Sequence, residues 1–263
     1  MKRIVDAIKS RIKKSGLLPS FTVRESLAAK YLHGTGLEIG ALHFPLQVPS
    51  GVMVKYVDYS TREENVSRFP ELPASEIVET DYLENGFELA SFPPSSQDFI
   101  IGNHVLEHAG NPIQVLLNWG RLLRSEGVLM VTVPVMDRCF DKGRQLTTME
   151  HFVEDHRLLQ KGEIAKFKER NLHHFTEIIQ ISEPNIRSKG GRASEVSEGF
   201  IRERLLQMAA AEQLDIHYHT FSIDSFRNLM EYFVTYIGPD FSLMALSRSR
   251  GGAEVVAILK KLN

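Results

Sequence analysis

The sequence predicts an α/β fold built on a doubly wound, mostly parallel sheet. Three observations carry the prediction. Short apolar runs of strand length alternate with helix-like stretches between about residues 35 and 134. Several of those runs close on an acid or a glycine turn. The chain has 263 residues, 43% of them hydrophobic, which is ample for one core.

Residues 36–41 read as the first buried strand, closing on Glu38-Ile39-Gly40. Residues 54–58 and 76–81 follow as the second and third strands, ended by Asp58 and Asp81. A fourth strand over 98–103 runs into Asn103-His104-Val105-Leu106-Glu107-His108. Asn111-Pro112 then opens a helix, with Asn at the N-cap and Pro at the first helical position. Its apolar residues Ile113, Val115, Leu116, Trp119, Leu122 and Leu123 run toward Gly127, a natural stop. Residues 128–134 form the fifth strand.

Residues 135–205 break this rhythm and read as a polar insertion leaving the end of the fifth strand. Helices are expected at about 148–157 and 197–211, with a turn at 189–192. Residues 214–221 return to the sheet and 224–236 form a helix. A terminal hairpin pairs 242–247 with 254–259. The expected organisation is a helical segment over 1–34 and one domain over 35–263, with 135–205 as its covering insertion.

The formal net charge of −2 gives no signal for nucleic acid, and none is expected as a partner. Cys139 is the sole cysteine, so no intramolecular disulfide forms and a reducing compartment is expected. No apolar run reaches membrane-spanning length. The sequence therefore predicts a soluble, cytoplasmic protein. Near the N-terminus, Lys2, Arg3, Lys9, Arg11, Lys13 and Lys14 surround Ile4, Val5, Ile8 and Ile12 at helical spacing. Such a helix either packs on its own domain or lies peripherally on an anionic membrane face.

Glu38, Asp58, Asp81 and Asn103 would line the edge where open α/β sheets bind ligands. Gly40 lets backbone approach a ligand, Glu38 can accept from an ammonium group or water, and Asp58 stands where an acid grips ribose hydroxyls. A dinucleotide site would want G-x-G-x-x-G to seat a pyrophosphate. Ala41 and Phe44-Pro45 stand there instead, so an NAD-dependent oxidoreductase is the weaker alternative.

Glu38-Ile39-Gly40, Asp58, Asp81, the stretch 98–108 and Leu122–Leu129 together resemble the motifs of class I S-adenosylmethionine-dependent methyltransferases. The resemblance implies a seven-stranded Rossmann-like sheet whose last strand is antiparallel. It also implies S-adenosyl-L-methionine as cofactor, held by Glu38, Gly40, Ala41, Asp58, Tyr59, Asp81, Tyr82, Asn103 and His104. Residues 36–46, 98–108 and 134–151 further resemble methyltransferase-like proteins associated with bacterial surface polysaccharide biosynthesis. The general family writes its first loop E/D-x-G-x-G-x-G, and two of those glycines are missing here.

A hydroxyl acceptor needs its proton removed, which a positioned His or carboxylate can do. His108 is the preferred base, with His104, Asp137 and His151 as further catalytic candidates. Plain alternatives exist: Glu107-His108 can simply begin a helix, and Asp137-Arg138 can be a loop ion pair. His104, Glu107 and His108 could join His151, His156, His173 or His174 around a metal. No cysteine pairs with them and the candidates are too few for a structural site, so no metal is expected. His217 and His219 would share one face of a strand, and Arg138, Lys142 and Arg144 could meet a sugar phosphate. The expected reaction is methyl transfer to an oxygen, less readily a nitrogen, of a sugar, glycan precursor or related small molecule. A methyltransferase fold that binds a partner without catalysis is the other alternative.

Overall fold

The computed structural model describes residues 22–188, 197–210 and 215–262; the basic N-terminal stretch and the turn expected at 189–192 lie outside them. Among the described residues, seven strands form one sheet: β1 (Thr35–Ile39), β2 (Met53–Asp58), β3 (Tyr82–Leu83), β4 (Gln97–Asn103), β5 (Leu123–Pro134), β6 (Phe241–Arg248) and β7 (Glu254–Lys261). Their spatial order is β3-β2-β1-β4-β5-β7-β6. Strands β1 to β5 are parallel, and β7 runs antiparallel to both β5 and β6. The predicted doubly wound sheet with an antiparallel last strand is what forms. The order reverses at β1 and β4, which opens a crevice at their C-terminal ends.

The period-2 alternation of β4 and β5 divides the core. Ile100, Leu129 and Val131 face one layer with α3 (Pro112–Leu122) and α8 (Ile223–Tyr232), which bring Trp119, Leu116, Phe226 and Leu229. Phe99, Ile101, Val128 and Met130 face the other, against Ala28 and Leu32 around α1 (Val23–Tyr31). Asn111 caps α3 by accepting from the Gln114 N–H at 3.2 Å. Gly102 matters at this contact, because a Cβ there would lie 2.5 Å from the Trp119 ring.

Three strand expectations are corrected. The third strand is Tyr82–Leu83, not 76–81. Arg62, which opens α2 (Arg62–Arg68), donates to the Ala74 and Ile77 carbonyls through its guanidinium, so that stretch does not offer them to a neighbouring strand. The fifth strand begins at Leu123, opposite Gln97; the register then skips to Val128 opposite Phe99, leaving 124–127 as a bulge. Of residues 214–221, the described ones form no ladder beyond a single bridge from Phe221 to Val135. Side chains take up part of their backbone instead. Arg144 donates to the His217 and Tyr218 carbonyls at 2.7 and 3.0 Å, and the Thr220 N–H donates to the Thr147 hydroxyl.

The segment after β5 is helical. It holds α4 (Met149–Gln160), α5 (Ile164–Glu177), a π turn (Ile178–Ser182), α6 (Glu183–Ser188) and α7 (Glu198–Ala210). Thr148 caps α4 by accepting from the His151 N–H. Arg144, expected at an acceptor site, is buried and pairs with Asp141 at 2.9 Å and Glu177 at 3.4 Å. It therefore fastens the insertion and does not face solvent. No helix among the described residues is long and apolar enough to cross a membrane.

Candidate functional site

A cavity of about 440 Å³ lies at the ends of β1, β2 and β4, where the strand order reverses. Ile39, Val57, Phe69, Phe87 and Val105 give it apolar walls, and Asp58, Asn65, Arg68, Asn85, His104, His108 and Asp215 give it polar ones. Gly40 forms its floor at φ +63°, a left-handed conformation that glycine adopts without strain.

Asp58 is half-buried on the wall, with Oδ1 accepting from the Ser60 N–H at 2.9 Å; burial raises its carboxyl above the ordinary range. Tyr59 lines the cavity too, its ring beneath the Arg68 guanidinium at 5.0 Å and its hydroxyl bonded to the same group. Of the expected cofactor residues, the structure thus brings Gly40, Asp58, Tyr59 and His104 together.

The others serve elsewhere. Glu38 is fully buried and accepts the Leu46 N–H at 3.0 and 3.1 Å and the Asn103 amide at 3.1 Å. It holds the first loop closed from behind the cavity, and Ala41 lies in that loop off the wall. Asn103 is spent on Glu38 and on the Thr132 hydroxyl at 2.7 Å. Asp81 is corrected from a ligand position to the sheet edge, where it pairs with Lys55 at 2.6 Å and accepts the Tyr56 N–H. Tyr82 packs its ring on Phe92 with centroids 4.8 Å apart. Because β3 starts later than expected, Asn85 takes the place on the wall that Asp81 was expected to fill.

The loop also accounts for one of the two missing glycines. Leu42, at the position of the motif's second glycine, adopts φ 47° and lines the cavity. The backbone keeps the glycine conformation while the side chain adds apolar surface, at a strain of about 1–3 kcal/mol.

Burial pushes the Glu38 carboxyl up to about 7, against the hydrogen bonds that would lower it. Such a group costs nothing below its unfolded value near 4.5 and most above about 7. Stability should therefore fall by on the order of 3 kcal/mol as pH rises through that window. Glu38→Gln should flatten this slope, read from urea midpoints at about pH 5 and pH 8; an unchanged slope would assign it to another group.

The turn after β4 brings two histidines to the cavity. His104 has φ 56°, its N–H bonded to the Thr132 carbonyl and its ring set between Glu254 at 2.9 Å and Glu107 at 3.5 Å. Burial opposes its charge, but the two carboxylates overcome it and hold the imidazole up to about 9. His108 lies on the wall with Nδ1 3.0 Å from Asp215. Burial again disfavours the charge, and Asp215 with Glu107 outweighs it, so its pKa stands above the ordinary value.

Behind His108, the His217 ring meets it at 4.7 Å and binds Asp141 through Nδ1 at 2.6 Å. That contact, opposing burial, holds the Asp141 carboxyl down to about 2. Glu107 is fully buried between these rings, 3.8 Å from His217 Nε2.

Asp137 and His151 are not brought to the cavity. Asp137 is exposed beside Arg138 and Lys142 in a separate shallow depression. His151 lies on α4, against His174 and Asp155. The sequence reading missed Arg68, Asn85 and Asp215, which reach the wall from a helix end and two loops without any motif spacing. The histidine pair 217/219 was the one visible signal for the Asp141–His217 contact.

The family model described as a methyltransferase domain matches residues 34–131, from the turn before β1 into β5. No curated protein matches the chain by sequence. Among solved structures, the CurJ carbon methyltransferase is 13% identical with a TM-score of 0.41; the match covers 89% of this chain and 50% of that one. The chain thus spans half the length of that protein. A SAM-dependent methyltransferase from Methanosarcina mazei is 16% identical with a TM-score of 0.43, over 89% of this chain and 95% of that one. One from Aquifex aeolicus is 12% identical with a TM-score of 0.41, over 97% and 98%.

Proposed function

We propose that this chain, whose residues 34–131 match a methyltransferase domain, is an S-adenosylmethionine-dependent methyltransferase that transfers the methyl group to a hydroxyl oxygen of a sugar or glycan precursor. The observation that carries the hydroxyl is the His108–Asp215 pair on the cavity wall, a base with its own carboxylate partner. The sugar class rests on the resemblance of residues 36–46, 98–108 and 134–151 to proteins of surface polysaccharide biosynthesis.

The cavity suits the cofactor. Its glycine floor admits close backbone approach, Asp58 is an acceptor for ribose hydroxyls, and Phe69, Phe87 and Val57 offer apolar faces to a base. Asn85 can bond the base edge, and Tyr59 with Arg68 closes the side. When bound, the cofactor supplies a methyl group already activated on a sulfonium. The protein's part is to align the acceptor, exclude water and take a proton. His108 is placed to take it from the acceptor hydroxyl, with Asp215 stabilising the imidazolium that results. His104 is charged at neutral pH and so acts as a fixed cation, not as a base. Asp141, from the segment after β5, holds His217 against His108 and so supports it.

Calorimetry tests the cofactor. Wild type should bind S-adenosylmethionine, and Asp58→Ala should bind it roughly 10–100-fold more weakly, as expected for a lost charged hydrogen bond. No heat at millimolar cofactor, or an Asp58→Ala isotherm identical to wild type, would overturn the assignment, and heat with NAD alone would favour the oxidoreductase. Mass spectrometry of a nucleotide-sugar and oligosaccharide panel then reads the acceptor; methylation confined to amines would reject the hydroxyl.

A further inference from the structure

We propose that His151, His174 and His219 bind a structural zinc ion that staples the insertion to the sheet domain. This site is separate from the cofactor cavity and does not depend on the reading of that cavity.

The three histidines come from three parts of the chain: α4, α5 and the extended run after residue 214. One nitrogen from each lies within 4.8 Å of the other two. His151 Nε2 and His174 Nε2 face one another at 2.9 Å. The His219 ring stands edge-on to both, with centroids 5.8 and 5.0 Å away. Zinc–imidazole bonds of ~2.0–2.1 Å on a tetrahedral ion put ligand nitrogens ~3.3 Å apart. His151 and His174 need part by only a few tenths of an ångström to meet that spacing, and His219 closes in from within 4.8 Å.

Hydrogen bonding among these groups leaves donors and acceptors unpaired. His174 and His219 are 3% and 1% exposed, and Asp155 is fully buried. His219 Nδ1 is buried without a hydrogen-bond partner, and Asp155 Oδ2 has only the ion-pair contact to His151 Nε2 at 2.9 Å. Of two facing imidazole nitrogens only one can carry the proton, so a third nitrogen finds nothing to donate to or accept from. A buried cation resolves all of these at once.

The outer contacts have the pattern of a metal site. His219 directs Nε2 at the Gly110 carbonyl, 3.4 Å away, which turns Nδ1 inward. Asp155 is anchored by Arg170 through Oδ1 at 2.6 Å, and its other oxygen lies 2.9 Å from His151 Nε2. With His151 Nε2 turned to the ion, Asp155 is the carboxylate that completes the coordination. Neutral imidazoles with one carboxylate suit zinc among divalent ions.

Such an ion would fix α4 and α5 to His219. The His219 backbone N–H donates to the Glu107 carbonyl at 3.2 Å, so the staple ends on the turn that carries His108.

The test uses the full chain, stripped of metal with a chelator and titrated with Zn²⁺ and, separately, Co²⁺. Expected are about one zinc per chain by elemental analysis, a raised Tm, and the intense visible bands of tetrahedral Co²⁺. Asp155→Asn should weaken zinc about 10–100-fold. His174→Ala should abolish it while S-adenosylmethionine still binds by calorimetry. Zinc content no higher than the buffer blank, octahedral Co²⁺ bands, or full zinc retention by His174→Ala would each overturn the site. Should His174→Ala fail to fold, the Co²⁺ spectrum of wild type decides alone. Zinc loss with intact cofactor binding, or the reverse, separates this proposal from the enzymatic one.

Discussion

Replacing His108 with alanine is expected to lower kcat by about 10²–10⁴-fold while S-adenosylmethionine affinity changes little, the range a positioned general base contributes. The pH dependence gives the sharper readout. A base works when neutral, and the Asp215 and Glu107 carboxylates hold His108 protonated to a pH above its ordinary titration. The wild-type rate should therefore rise with pH through that raised pKa and level off above it. Asp215→Asn removes one of the carboxylates and should move the rising limb to lower pH, at some cost in rate. His108→Ala should lose the limb altogether. Because His104 titrates near 9, a limb that survived in His108→Ala near that pH would shift the role to His104. A His108→Ala enzyme with wild-type kcat and profile would remove the base from the mechanism.

The parts of this site that were legible in the sequence are those built by strands. β1, β2 and β4 declare themselves by apolar runs ended by Gly40, Asp58 and His104, and the structure brings all three to one cavity. Misplacement began where side chains, not strands, took up the backbone. Arg62 takes the carbonyls of Ala74 and Ile77 at the start of the expected third strand, the strand forms later, and Asn85 lines the cavity where Asp81 does not. Arg144 did the same to the run ending at Phe221 and so turned an apparent surface cation into a buried clasp. A guanidinium that bonds backbone 70 residues away has no local pattern. The same holds for Asp215 and His219, whose partners lie about a hundred residues earlier in the chain. Glu38 is a subtler case: its motif was visible, but its role as an internal clamp depends on Leu46 returning to it.

Trp119→Ala should cost about 3–5 kcal/mol, the largest stability loss expected from a single truncation in this core. The ring is fully buried and fills the space above Gly102, where a Cβ would come within 2.5 Å of it. Its second role ties packing to the cavity. Trp119 Nε1 donates to the Gly86 carbonyl at 2.7 Å, and Gly86 stands on the cavity wall between Asn85 and Phe87. Asn118 adds a bond to the Phe87 carbonyl at 2.9 Å, so one turn of α3 carries this whole loop. Trp119→Phe separates the two roles, since it keeps most of the ring but removes the donor of the half-buried Gly86 carbonyl, a loss of about 1 kcal/mol. Urea unfolding at constant m-value should show that smaller loss. Calorimetry should show weaker S-adenosylmethionine binding, because Asn85 and Phe87 lose their support. If Trp119→Phe lowers stability yet binds cofactor as wild type does, the loop is held by Asn118 alone. The coupling from β4 packing through α3 to the cavity wall would then fail at Trp119.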